Sequence, residues 1–219
     1  MRGVLFDQAV SVDDATAPRR RRAFDIQYHG RQGSGVSRRS VPPIRSLCWR
    51  TNMMLVDCAP LIDRLNAYTR RALENGIELC VVYGHYDIAV EHLLFHLLDD
   101  DQADIPMLLH RRNVDAALVR HAIGRSLETR RAGNVGRPAF SPPLFDLLQD
   151  AWLIASVNLN EANIRSGAIL LALVARWNYY SLGNCAPTLG RLDRKLMRSE
   201  FRQICDVSIE ARVHACGAG

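Results

Sequence analysis

Two pairs of helical segments with matching apolar patterns lie 75 residues apart, and this internal similarity limits the possible folds more than any other feature. The first pair consists of residues 70–82 and 90–98, and residues 70–82 carry apolar side chains at helical intervals. Residues 130–139 then form a break with Gly and Pro and no apolar period. Beyond it the pattern restarts in 144–157 and 164–177, and a shift of 75 residues aligns Leu73 with Leu148, Cys80 with Ala155, Val82 with Val157, Glu91 with Ser166 and Leu98 with Leu173. We interpret this as two copies of a four-helix unit; two unrelated amphipathic hairpins are the alternative.

The first copy predicts four helices. Gly84 follows the first one, as a residue that can end a helix. Residues 90–98 form the second and residues 105–112 a short third. Asn113 is suited to cap the fourth. The inward-facing residues predicted for that fourth helix are Val114, Leu118, Ala122 and Leu127.

The second copy begins with stronger signals. Ser141 is a good N-cap, and Pro142 stands at the first helical position, where a missing N–H costs nothing. Ser166 is a candidate cap for the next helix. Because no stretch favours strands, the sequence predicts an all-α fold made of two tandem four-helix repeats in a pseudo-two-fold arrangement.

The net charge of +5 is unevenly distributed. Residues 1–52 contain ten Arg and four Asp, whereas the remaining residues are almost neutral. This N-terminal arm is rich in Arg, Gly, Ser and Pro, so we expect it to be disordered. It is either a nucleic-acid-binding or targeting arm, or a stretch upstream of a natural start at Met53 or Met54. Since the rest of the chain lacks a basic excess, nucleic acid is not an expected partner of the folded part.

The histidines of "VEHLLFHLLDDD" (90–101) raise the question of a metal site. His92 and His96 stand at i and i+4, a spacing that can bind zinc. A zinc hydrolase of this kind needs a glutamate directly after the first histidine, whereas Glu91 precedes it. The second copy also has Gly167 and Leu171 at the two histidine positions. We therefore interpret the histidines as the solvated or hydrogen-bonded edge of a buried helix, and a small metal-dependent enzyme remains the less favoured alternative.

Other chemistry has little support in the sequence. A P-loop needs a lysine after a Gly-rich loop, and the only lysine, Lys195, lies in "LDRKLM". We therefore predict no nucleotide site, no catalytic residue, no metal and no cofactor. The six cysteines have no metal-ligand spacing, which is typical of reduced thiols in a cytoplasmic protein. The longest apolar run, residues 167–175, is too short for a bilayer, so no membrane association is expected.

Two long segments resemble a known family. Residues 65–98, with "EHLL" at 91–94, resemble the first repeat of a Clp N-terminal domain. The second copy, with "SPPLFDLLQDAWLIAS" and "IRSGAILLAL", resembles the ClpV (TssH) branch, the AAA+ ATPases of type VI secretion. The resemblance implies repeats at about 65–131 and 140–182 within a domain spanning 53–182, preceded by an extra short helix. Residues 183–219 would then be a linker and helical lead toward ATPase modules, before which this chain stops.

The resemblance also implies a function. In this family the domain recognises substrates, and in the ClpV branch it engages the N-terminal helix of the large sheath subunit after contraction. The attached ATPase ring then takes the sheath apart. A general Clp-type adaptor for unfolded substrates is the alternative. The binding would be of the helix-in-groove kind, and the predicted groove residues, on the extra helix and the first repeat helix, are Leu61, Ile62, Leu65, Tyr68 and Ala72.

Overall fold

The computed structural model describes Ile44, residues 58–180 and residues 186–211. Apart from Ile44, the predicted arm at 1–52 lies outside the described residues, as do Met53 and Met54. Among the described residues, no helix combines the length and the apolar character that crossing a bilayer requires.

Helices dominate the part of the chain that the structure describes. They are α1 (Cys58–Asp63), α2 (Ala67–Tyr83), α3 (Val90–Leu97), α4 (Asp104–Arg111), α5 (Ala116–Glu128), α6 (Pro142–Leu153), a π-helix (Ile154–Leu159), α7 (Ser166–Ala175), α8 (Ala186–Leu189) and α9 (Arg194–Cys205). Two strands of two residues each, β1 (Asp87–Ile88) and β2 (Ala139–Phe140), pair in parallel and precede α3 and α6. The predicted all-α class is confirmed, and the two strands join the first copy to the start of the second.

Local signals explain where several helices begin and end. The Asn66 side chain accepts a hydrogen bond from the Thr69 amide at the start of α2. Gly84 ends that helix in the left-handed conformation, with φ of 65°, as predicted. Ser141 caps α6 by accepting from the Leu144 amide, and Pro142 occupies the first turn, also as predicted.

The start of α5 differs from the prediction. Asp115, and not Asn113, is the N-cap, and its side chain accepts from the Ala117 amide. The buried residues are Val119, Ile123 and Leu127, whereas Leu118 is 69% exposed. Two adjacent apolar stripes run along this helix, and packing against α3 buries the one with the β-branched side chains. The sequence alone does not show which of the two stripes is buried. The prediction that Leu118 faces the core was wrong for this reason.

Helix α7 lies at the centre of the core. Every residue from Ser166 to Val174 is buried, as expected for a helix that is apolar on all sides. It packs against α6, α4 and α9. Gly167 makes the contact with α9 possible, because a Cβ atom there would lie 2.6 Å from the Phe201 ring. The glycine that stands where the first copy has His92 is therefore explained by packing.

Helix α9 belongs to this same core, although residues 183–219 were predicted to be a linker and helical lead. Met197, Phe201 and Cys205 are buried within the hydrophobic cluster that contains α2, α3, α6 and α7. The helix packs against α4 and α7, so the linker interpretation does not hold for this stretch. Its three core residues are spaced four apart, which leaves a narrow apolar stripe on a mostly charged helix.

A buried polar cluster secures the end of the described chain against both copies. Arg165 donates two hydrogen bonds to Asp104, at 2.8 and 2.9 Å. The Glu210 carboxylate accepts from the backbone amides of Asp104 and Ser166 and from the Asn66 side chain, at 3.0, 2.8 and 2.7 Å. Glu210 thus lies at the N-terminal ends of α2, α4 and α7, where backbone amides and helix dipoles favour an anion.

This cluster also corrects the predicted cap of α7. Arg165 is the N-cap residue, without a side-chain cap bond, and Ser166 is the first helical residue. The Ser166 amide and hydroxyl both donate to Glu210. A capping group supplied from 44 residues along the chain has no local sequence signature.

Candidate functional site

An open apolar groove of about 360 Å³ lies on the surface beside α1 and the C-terminal end of α6. Pro60, Leu61 and Arg64 line one side, and Gln149, Trp152 and Leu153 line the other. Leu153 is 58% exposed. A large apolar side chain this exposed beside a half-buried tryptophan is typical of a binding surface.

The wall formed by α1 is held by core packing and by two backbone hydrogen bonds. Cys58, Leu61 and Ile62 of this helix are buried. The Ile164 amide donates to the Arg64 carbonyl at 2.6 Å, and the Asn66 amide donates to the Ile164 carbonyl at 3.1 Å. Because these bonds join the end of α1 to the segment before α7, the groove wall is tied to the second copy.

The opposite wall ends in the π-helix. The Ser156 hydroxyl donates to the Trp152 carbonyl at 2.7 Å, and Asn160 ends the π-helix in the left-handed conformation, with φ of 55°. Val157 in this segment is 76% exposed. π-Helical segments within α-helices are rare and occur often at functional sites.

The charge of the groove comes from Arg64. Its guanidinium carbon lies 4.9 Å from the centre of the Trp152 ring, which is a cation–π distance. The two carboxylates of α6 are engaged elsewhere: Asp146 accepts from the Tyr179 hydroxyl, and Asp150 pairs with Arg176 at 2.8 Å. Among the residues lining the groove no carboxylate occurs, so the groove is apolar with one cation.

The predicted groove residues fall into two groups. Leu61 lines the groove, although most of its surface is buried. Ile62, Leu65 and Ala72 are core residues, and their side chains are not on the surface. The Tyr68 hydroxyl donates to the Leu97 carbonyl at 3.1 Å, and burial raises the pKa of this phenol. These four residues are not among those that line the groove.

Sequence reasoning missed the α6 side of the groove. Gln149, Trp152 and Leu153 were assigned only to a helix of the second copy. A signal was present, because α6 carries more apolar residues than one buried stripe can hold. Which of them remain exposed depends on the position of α1, and that is a tertiary property.

Of the two histidines on α3, His92 is part of the core and forms a buried histidine pair with His85. His92 is fully buried; its Nδ1 accepts from the Ala89 amide, and its Nε2 lies 2.9 Å from Nδ1 of His85. Burial, with a smaller contribution from His85, lowers the pKa of His92 to about 3. His96 instead pairs with Asp99 at 2.9 Å. A hydrogen-bonded edge thus describes His96, whereas His92 lies in the core and both of its ring nitrogens have partners within the protein.

No candidate metal centre appears elsewhere in the described ranges. Within them, no group of three or more His, Cys, Asp or Glu side chains has a metal-binding arrangement. The described cysteines Cys58, Cys80 and Cys205 are buried, and Cys80 and Cys205 are free thiols. Burial raises the pKa of the Cys80 thiol to about 12, which keeps it in the unreactive protonated form.

A helical double repeat preceded by a short additional helix defines a class of all-α repeat domains. The family model described as the Clp repeat (R) N-terminal domain matches residues 64–179. The chain therefore belongs to the Clp N-terminal domain family.

Solved structures narrow the likeness to one branch of this family. The N-domain of ClpV from Vibrio cholerae is 35% identical, with a TM-score of 0.66, and the match covers 73% of this chain and 96% of that one. The complex of a ClpV N-domain with a VipB peptide matches with 35% identity and a TM-score of 0.65, over 73% of this chain and 98% of that one. The N-terminal domain of ClpV1 from E. coli EAEC is 30% identical, with a TM-score of 0.63, over 69% and 92% of the two chains.

A longer relative shows how much of a complete Clp protein this chain represents. The chaperone protein ClpB from Yersinia enterocolitica is 23% identical over 151 residues. These residues are 68% of this chain and 17% of ClpB, so the chain spans less than a fifth of that relative.

Proposed function

We propose that this chain is the substrate-recognition domain of a ClpV-type AAA+ ATPase and that its groove binds the N-terminal helix of the large type VI sheath subunit. The observation that carries the proposal is the open apolar groove with the half-buried Trp152 and the exposed Leu153 in its wall. The ClpV N-domain that was solved with a VipB peptide, at 35% identity, supports it.

The shape and composition of the groove suit an amphipathic helix. Leu61 and Trp152 offer apolar surface on facing walls, and Leu153 extends it along the second wall. A helix that lays residues i, i+3, i+4 and i+7 into such a groove buries its apolar face. One groove of this size is suited to micromolar affinity, on the order of −8 kcal/mol.

The proposal includes ATPase modules attached to this domain. It is supported by the match to ClpB, a much longer chaperone of which this chain covers 17%. The domain would hold the sheath helix while those modules act on the rest of the subunit. Several copies in one assembly would raise the apparent affinity by multivalency. The cytoplasmic location that the cysteine pattern indicates stays a prediction.

The proposal is tested by fluorescence anisotropy with the full chain and a labelled VipB peptide. We expect saturable binding in the micromolar range. Leu153→Asp places a charge in the groove and should weaken binding at least tenfold, since burying an unpaired carboxylate is costly. Leu65→Asp is unsuitable as a groove variant, because Leu65 is buried and its substitution tests folding.

Val82→Asp is the matched control. Val82 is 67% exposed on α2 and is not among the residues that line the groove, so the same substitution there should leave the affinity unchanged. Equal weakening by both variants would contradict the groove assignment. If the peptide does not bind while a chemically unfolded model protein does, the general Clp-type adaptor is the better account.

A further inference from the structure

Arg64 stands out among the charged residues of the described chain, because it is an exposed cation within an apolar groove. Within the described ranges its side chain has neither an ion pair nor a hydrogen bond, and its contact is with the face of Trp152, 4.9 Å away. The side chain is exposed, and a guanidinium carries five N–H donors. The donors of Arg64 are therefore available to a ligand in the groove.

Nearby carboxylates have other partners. Asp63 pairs with Arg70 at 3.4 Å, and Glu161 pairs with Arg165 at 3.6 Å. On the α6 side, Asp150 pairs with Arg176. The walls of the groove thus supply no counter-charge to Arg64, and a ligand that covers the groove would desolvate this cation. Such a ligand binds better if it brings an acceptor with negative charge.

We propose that Arg64 selects docked helices that carry a carboxylate one helical turn from their apolar anchors. This inference deepens the proposed function and rests on it. An Asp or Glu three or four residues from the side chain that contacts Trp152 would lie on the same face of the ligand helix. The fork of N–H donors on Arg64 matches a carboxylate, so the groove would distinguish Glu from the neutral and nearly isosteric Gln.

The test is a charge scan of the labelled VipB peptide against the full chain. Each position is made Glu in one peptide and Gln in another, and the ratio of the two dissociation constants is measured at every position. Peptide helicity is measured for each pair, because a carboxylate also changes helix stability near the ends. We expect a preference for Glu of about threefold to tenfold at one position, or at two positions one turn apart.

Three variants assign the preference to Arg64. Arg64→Gln should reduce the ratio to about one at those positions, and Arg64→Lys should retain part of it. Arg71→Gln removes an exposed arginine that does not line the groove, so the preference should persist there. Higher salt should weaken the preference, since the pair is partly exposed.

The possible failures are distinguishable. If peptides bind but no position prefers Glu, or if the preference survives in Arg64→Gln, the inference about Arg64 is wrong and the proposed function stands. If no peptide of the series binds the folded chain, both are overturned.

Discussion

At the scale of single residues, His92 shows how the core treats a polar side chain. It occupies a fully buried position on α3, where an apolar residue would be expected, and both of its nitrogens are paired. Because the Ala89 amide donates to Nδ1, the neutral ring carries its proton on Nε2 and donates toward His85. A proton on Nδ1 of His85 would remove the acceptor of this bond, and a proton on Nδ1 of His92 would remove the acceptor of the Ala89 amide, so the arrangement suits two neutral rings.

The buried histidine pair predicts a loss of stability in mild acid. The folded pKa of His92 is about 3 and that of His85 is also lowered, whereas an unfolded histidine titrates near 6.5. The unfolded state therefore binds more protons as the pH falls from about 6.5 toward 3. For His92 the free energy of unfolding should fall over this window by up to about 1.4 kcal/mol per pH unit, and His85 adds a contribution of the same sign.

Urea unfolding of the wild type and of His92→Gln at several pH values isolates this effect. Glu91 and Glu210 have raised pKa values and contribute a dependence of the opposite sense above about pH 4.5, so the difference between the two proteins is the useful quantity. The variant should be less stable at pH 7 and should lose less stability on acidification. Parallel curves for the two proteins would show that His92 does not titrate on unfolding.

At the scale of secondary-structure elements, close approach between helices decides which substitutions are tolerated. Gly76 in α2 lies against the backbone of α3, where an added Cβ would be 2.9 Å from the His92 carbonyl oxygen. Gly167 in α7 lies against Phe201 of α9. The apolar pattern of these helices was visible in the sequence, but the identity of the helix that each glycine meets was not.

Gly167→Ala should destabilise the protein by about 1–3 kcal/mol, because the new methyl group would overlap the Phe201 ring. Gly124→Ala in α5 is the matched control, since its nearest contact is Phe95 at 3.4 Å. There the change should be neutral or stabilising by up to about 1 kcal/mol, as alanine favours a helix. Chemical denaturation measures both, and an equal effect of the two substitutions would contradict the packing of α9 on α7.

At the scale of the whole molecule, the residues after α9 connect the two copies. Glu210 accepts hydrogen bonds at the starts of α4 and α7 and from the cap residue of α2. Arg165 adds bonds to Asp104, to Ser208 and to the carbonyl of Cys205. The double repeat is therefore joined by a polar cluster as well as by its core.

Removing the Glu210 carboxylate should destabilise the entire domain. Glu210→Ala leaves two helix-start amides and the Asn66 side chain without an acceptor, and we expect a loss of about 3 kcal/mol or more. Glu200→Ala is the control, because Glu200 pairs with Arg112 in a less buried position, and it should cost about 1 kcal/mol or less. Thermal or urea unfolding followed by circular dichroism would measure both. A small loss for Glu210→Ala would mean that residues 206–211 do not help to hold the domain together.

The sequence by itself determined the helical class, the two copies, the helix end at Gly84, the cap at Ser141 and the likeness to Clp N-terminal domains. These features depend on periodicity and on contacts within a few residues along the chain. The tertiary structure decided which stripe of α5 is buried, that α9 completes the core, and that Glu210 caps α7 from 44 residues away. It also decided that the groove is formed by Arg64, Trp152 and Leu153 and leaves Ile62 and Leu65 in the core. A side chain becomes surface or core only when a second element covers it or leaves it open, and the partner elements here are distant in the sequence.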